Sequence, residues 1–135
     1  MVEQVRVWTR AALTELNKQA VHLTVRLVGD LEMEQLNLKY RGRKGSTNVL
    51  SFPFESLPGL PQLTPAELGD IVVCVPQVER EAHEQTKTIE NHLAHIIIHG
   101  VLHLNGFDHY HENEERKMQD IEKKILGSLG ISNPY

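Results

Sequence analysis

The sequence predicts a mixed α+β domain, on three observations. Helical and strand periodicities alternate along one short chain in the order α-β-α-β-β-α-α-α. The segment Gly69–Val75 is apolar without a break from Ile71 on, as a strand covered on both faces must be. The helix expected from Thr88 to about Asn105 is apolar around its whole circumference, which marks it as buried. A small sheet sandwiched by helices accommodates all three. With 135 residues, the chain has the length of one domain, residues 1–135, with a core of its own.

Each element has its own warrant. Over residues 2–18, Val5, Trp8, Ala12, Leu13 and Leu16 recur at helical spacing. Val21 to Val28 alternates and is β-branched, which reads as a strand. Gly29-Asp30 turns the chain, with Asp30 expected to cap a helix over Leu31–Tyr40. R-G-R-K-G-S-T-N follows as a loop. Val49–Phe54 reads as a strand, with Pro53 confining its end to an edge or exit. Ser56 to Pro65, rich in proline, reads as an irregular surface loop. Pro76 opens a helix to about Gln85. The last helix, Glu112 to about Leu126, carries Met118, Ile121, Ile125 and Leu129 on one stripe; its charges, Glu112 to Lys124, read as a solvated face.

Composition narrows the function classes. Hydrophobic residues at 40% and charged residues at 24% are ordinary for a globular protein. A single cysteine, Cys74, leaves no internal disulfide and no disulfide-linked partner, so a reducing, cytoplasmic setting is expected. The opening segment lacks the apolar run of a secretion signal, and no run approaches the ~20 residues of a membrane span. A formal net charge of −4 argues against coating nucleic acid by bulk charge, while leaving room for a local basic site.

The chemistry is concentrated in H-G-V-L-H-L-N-G-F-D-H, His99 to His109. At about 100° per residue, His99 and His103 project from one helix face, about 40° apart. Gly106 ends that helix and lets His109 return to the same point. With His92 and His95, a stripe of imidazoles crosses an otherwise apolar helix. Buried without partners, each would cost a few kcal/mol, on the order of 2 or more. Three neutral imidazoles with an open fourth position suit a catalytic zinc ion, and nickel or another divalent metal would also accept them. The same spacing marks metzincin peptidases, H-E-x-x-H-x-x-G-x-x-H, but Gly100 stands where their glutamate base would be.

A second constellation is basic. Lys39, Arg41, Arg43 and Lys44 lie within six residues, with glycines at 42 and 45 and with Thr47, Asn48 and Ser51 close behind. Guanidinium forks match phosphate geometry, so either a phosphodiester docks here or the run is a solvated turn. Asp108 reads either as a carboxylate behind a metal ligand or as a helix cap. Cys74 reads as a packing residue, His22 and His83 as surface, and His111 as no part of the site.

Together the motifs Y-R-G-x-x-x-x-T-N-V-L-S-F-P-F-E, L-G-D-I-V-V-C, H-x-x-H-x-x-x-H-G-x-L-H-L-x-G-F-D-H and L-G-I-x-N-P-Y resemble the YbeY family of zinc-binding, single-strand-specific endoribonucleases. The resemblance runs from about residue 21 to the last residue. It implies a mixed α/β sandwich with a small, mostly parallel sheet and the metal helix behind it. It implies His99, His103 and His109 as zinc ligands and Arg41 as the group acting on the RNA phosphate. It further implies ribosomal RNA as substrate, notably near the 3′ end of the small-subunit (16S) RNA, ribosome quality control as the setting, and the small ribosomal subunit and an Era-type GTPase as partners. Family members usually begin with a further short strand, whereas this chain opens almost directly in its first helix. The expected activity is metal-assisted RNA cleavage, with either water or the ribose 2′-OH as nucleophile. The competing expectations are a zinc peptidase-like hydrolase and a non-enzymatic ribosome-assembly factor with a structural metal.

Overall fold

A computed structural model describes residues 1–18, 20–55, 59, 66–108 and 110–135. The elements are α1 (Val2–Glu15), β1 (Val21–Val28), α2 (Asp30–Arg41), β2 (Val49–Pro53), β3 (Ala66–Cys74), α3 (Val75–Glu84), α4 (Ile89–Leu104) and α5 (Glu112–Ser128). The order is the one the periodicities predict. The expected loop from Ser56 to Pro65 lies outside the described residues, Gly59 excepted.

The sheet has the order β1-β3-β2. β1 runs parallel to β3, from Val21↔Ala66 to Val28↔Cys74, with one irregularity at His22/Leu23. β2 runs antiparallel to β3, from Val49↔Val73 to Pro53↔Gly69. Two of the three strands thus point the same way and the third opposes them. Pro53 pairs at the end of edge strand β2, where a missing N–H costs least.

β3 is central and apolar because both its faces are covered. Its period of two divides the core. Ile71 and Val73 pack with α1, α3, α4 and α5, whereas Val72 and Cys74 face Met33 of α2 together with Leu50 and Val28. Cys74 is a fully buried packing residue. Leu93, Ile97, Ile98, Val101 and Leu102 of α4 are buried almost completely. Each such side chain contributes about 1.5–3 kcal/mol, which fixes α4 against the sheet.

Helix boundaries follow local chemistry. The Thr88 hydroxyl accepts from the Asn91 N–H at 3.1 Å, the expected N-cap of α4. Asp30 is not the cap of α2: Gly29 holds that position, and Asp30 lies inside the first turn. Its carboxylate instead accepts from Arg80 Nη1 at 3.0 Å and Nη2 at 2.7 Å. A bidentate charged pair between α2 and α3 outcompetes a local cap. The Arg80 hydrogen bond is the main reason that the Asp30 carboxyl is lowered to about 2. α2 extends to Arg41, and Gly42 ends it in the left-handed conformation at φ 64°. No helix among the described residues is long and apolar enough to cross a membrane.

Candidate metal centre

The four histidines of α4 line one cleft of about 1170 Å³, together with Arg41, Arg43, Lys44, Ser46, Asn48, Ser51 and Lys87. The two constellations read separately along the chain therefore share one concavity. Among the described residues, the only acidic side chain lining it is Glu81, set against four cations, in a chain whose net charge is negative. All three tyrosines of the chain, Tyr40, Tyr110 and Tyr135, line it as well, each more than half exposed.

Helical geometry brings His99 and His103 together, with their Nε2 atoms 3.0 Å apart. His99 Nδ1 lies 2.6 Å from Glu122 Oε1. A carboxylate only accepts, so His99 carries its proton on Nδ1 and presents a lone pair at Nε2, the tautomer a metal ligand needs. Two nitrogens on a tetrahedral zinc ion sit about 3.3 Å apart, close to the separation found here. His109, expected as the third ligand, lies outside the described residues.

Glu122 corrects the sequence reading most sharply. Expected on a solvated face, it has no exposed surface. It stands one turn from Met118 and beside Ile125 on α5, so it points into the core with them. Its Oε2 accepts from His95 Nε2 at 2.9 Å and from the Tyr135 hydroxyl. Burial alone would push this carboxyl up; the hydrogen bonds from His95, His99 and Tyr135 outweigh it and hold it at about 2. The usable signal was i, i+4 spacing from Met118, with Glu122 standing next to Ile121 inside the apolar stripe. Asp108, by contrast, accepts from the Tyr110 backbone N–H at 3.1 Å and also meets Glu114. The carboxylate behind His99 is Glu122.

His95, His99 and Glu122 each offer a ligand atom, all within 4.8 Å of one another, so this group could hold a metal ion. At the far end of the cleft, His92 Nε2 lies 2.8 Å from Glu81 Oε1, and Asn48 Nδ2 donates to the same carboxylate at 3.1 Å. Burial lowers the His92 pKa against the pull of Glu81, so this imidazole is neutral and donates from Nε2. Arg41, on the last turn of α2, donates from Nη2 to the Ser51 carbonyl at 3.1 Å, which ties it to β2 beside the cleft. Gly45 turns at φ 91°, and its carbonyl accepts from Asn37 Nδ2 at 3.0 Å. His22 and His83 are exposed, as expected, and His111 is exposed as well.

Gly100 faces the sheet. A Cβ there would lie 3.0 Å from Ile71 Cγ2, and the Gly100 carbonyl accepts from the Ser51 hydroxyl at 3.3 Å. The position where a metzincin carries its base is thus packed against β2 and β3, with no room for a glutamate.

Comparison with known proteins agrees with this architecture. A relative from Nitrosococcus oceani, named Endoribonuclease YbeY, is 49% identical over 95% of this chain and 82% of its own length. One of the same name from Coxiella burnetii is 45% identical over 99% of this chain and 88% of its own. The solution structure of TM1509 from Thermotoga maritima superposes with a TM-score of 0.62 at 28% identity, covering 96% of this chain and 85% of that one. The family profile described as Endoribonuclease YbeY matches residues 1–130, and the chain belongs to the YbeY endoribonuclease family.

Proposed function

We propose that this chain is a metal-dependent endoribonuclease whose cleft takes a single strand of RNA. The observation that carries the reading is the convergence of the His99–His103 pair and the basic residues around Arg41 in one concavity. Relatives covering nearly the whole chain are named endoribonucleases, which supports RNA as the substrate. Arg41, Arg43 and Lys44 supply the positive rim for a phosphodiester, and the exposed faces of Tyr40, Tyr110 and Tyr135 offer stacking surfaces that paired bases could not reach.

His99 and His103 would hold the ion through Nε2, with His109 as the third ligand. Zinc is the proposed metal, on the softness of the donor set. When bound, a divalent ion supplies Lewis acidity at the phosphoryl oxygen and lowers the pKa of the attacking group. Glu122 keeps His99 in the ligating tautomer. Arg41 meets the non-bridging oxygens and stabilises charge developing on them. Ribosomal RNA as substrate, the small ribosomal subunit and an Era-type GTPase as partners, and a cytoplasmic setting are proposed on family membership.

A labelled unstructured RNA incubated with and without chelator tests the reading. Cleavage should require metal, and His103→Ala and Arg41→Glu should each abolish it, only His103→Ala losing metal. Chelator-resistant cleavage, or full activity in both variants, overturns it. A second donor set, His95 with His99 and Glu122, is favoured by the 4.8 Å cluster. The separations of 2.6 and 2.9 Å from imidazole nitrogen to carboxylate are hydrogen-bond lengths, which favours Glu122 as the support of a ligand. Metal loss in His95→Ala but not in His103→Ala would reverse that assignment. The peptidase alternative loses ground at Gly100, where a helical base has no space.

A further inference from the structure

We propose that Tyr135 is a positioning residue of the metal centre, holding Glu122 in the one orientation that aims His99 at His103. The inference rests on the reading of His99 and His103 as ligands. Glu122 has three side-chain torsions, and a carboxylate gripped at one oxygen can still swing about the last of them. Here both oxygens are gripped. Oε1 meets His99, while Oε2 meets His95 and the Tyr135 hydroxyl. His95 and His99 are one turn apart on α4, whereas Tyr135 arrives from the segment after α5. The carboxylate is thus clamped from two directions.

The Tyr135 ring is half-exposed, so its hydroxyl could point to water without penalty. It turns inward to a carboxylate with no exposed surface. Its approach is prepared locally: the Tyr135 N–H donates to Asn133 Oδ1 at 2.9 Å across Pro134, and the Ile131 N–H donates to the Leu126 carbonyl at 2.9 Å. The ring also stands edge-on to His95, centroids 5.4 Å apart at 87°, which restricts that imidazole as well. His95 Nδ1 is buried without a hydrogen-bond partner among the described residues, as fits a ring whose proton sits on Nε2, facing Glu122. Tyr135 and His95 therefore act on the metal only through Glu122.

The test is zinc affinity, measured by competition with a chromophoric chelator, in the full chain and in Tyr135→Phe, Glu122→Gln and the double variant. Glu122→Gln should weaken binding about 10–100-fold, as losses behind a metal ligand do, and Tyr135→Phe by about fivefold or more within that range. In the Glu122→Gln background, Tyr135→Phe should add less than about twofold, because its route to the metal is gone. Equal losses in both backgrounds would make Tyr135 a packing residue and overturn the proposal, as would wild-type affinity in Tyr135→Phe. A second readout needs no metal: the NMR resonance of the His99 Nδ1 proton should move in Tyr135→Phe, and an unmoved resonance also overturns it. His103→Ala is the control. If it binds zinc as the wild type does, the ligand reading itself has failed; if it does not, a negative result at Tyr135 counts against this proposal alone.

Discussion

Replacing Glu122 by glutamine should flatten the acid limb of the protein's stability. The Glu122 carboxyl stands at about 2 in the fold against 4.5 for the free side chain. A depressed carboxyl contributes stability that is fully present above its unfolded pKa and lost as pH falls through its folded one. The window is therefore pH 4.5 down to about 2. At 1.36 kcal/mol per unit, the contribution is on the order of 3 kcal/mol. Glutamine keeps the volume but turns one acceptor into an NH₂ facing an imidazole N–H or the Tyr135 hydroxyl. This leaves a donor unsatisfied and costs about 1–3 kcal/mol near neutrality. Urea unfolding with chelator present, at intervals from pH 7 to pH 2.5, measures both quantities. The wild type should exceed Glu122→Gln at pH 5, and the gap should close as pH falls. A gap constant from pH 5 to 2.5 would refute the reasoning, because it would mean that Glu122 binds the same protons folded and unfolded.

Three further outcomes follow from the packing. Thr88→Ala should cost about 1 kcal/mol in chemical denaturation by removing the α4 N-cap, and Thr88→Asp should keep most of it. Gly100→Ala places a methyl 3.0 Å from Ile71 Cγ2 and should destabilise by about 1–3 kcal/mol, a loss that Ile71→Val relieves in part if the clash is the cause. Asp30→Asn removes the charge that Arg80 holds, so its unfolding should be less sensitive to pH between 3.8 and about 2 than that of the wild type.

Much of the fold was legible because its signals are local. The alternation of Val21–Val28, the apolar run into Cys74, the Thr88 cap and the turn at Gly106 are each set by neighbours in the chain, and the element order follows from them. Asp30 misled because its partner, Arg80, lies fifty residues away on another helix. Glu122 misled for the same reason: within its own helix it is one more charge among charges, and only α4 and the tail carrying Tyr135 make it a buried acceptor.

The sequence by itself determined that His99 and His103 share a helix face and that a basic, glycine-bounded segment surrounds Arg41, since both are matters of spacing along a few residues. Only the tertiary structure decided that these two features open into one cleft, because β2 packs beside α4 and Arg41 is tied to Ser51. It alone decided that the imidazole stripe is supported by Glu81 and Glu122, one from α3 and one from α5. A buried histidine must find its acceptor wherever the core places one, and the core is built by long-range packing that spacing along the chain does not encode.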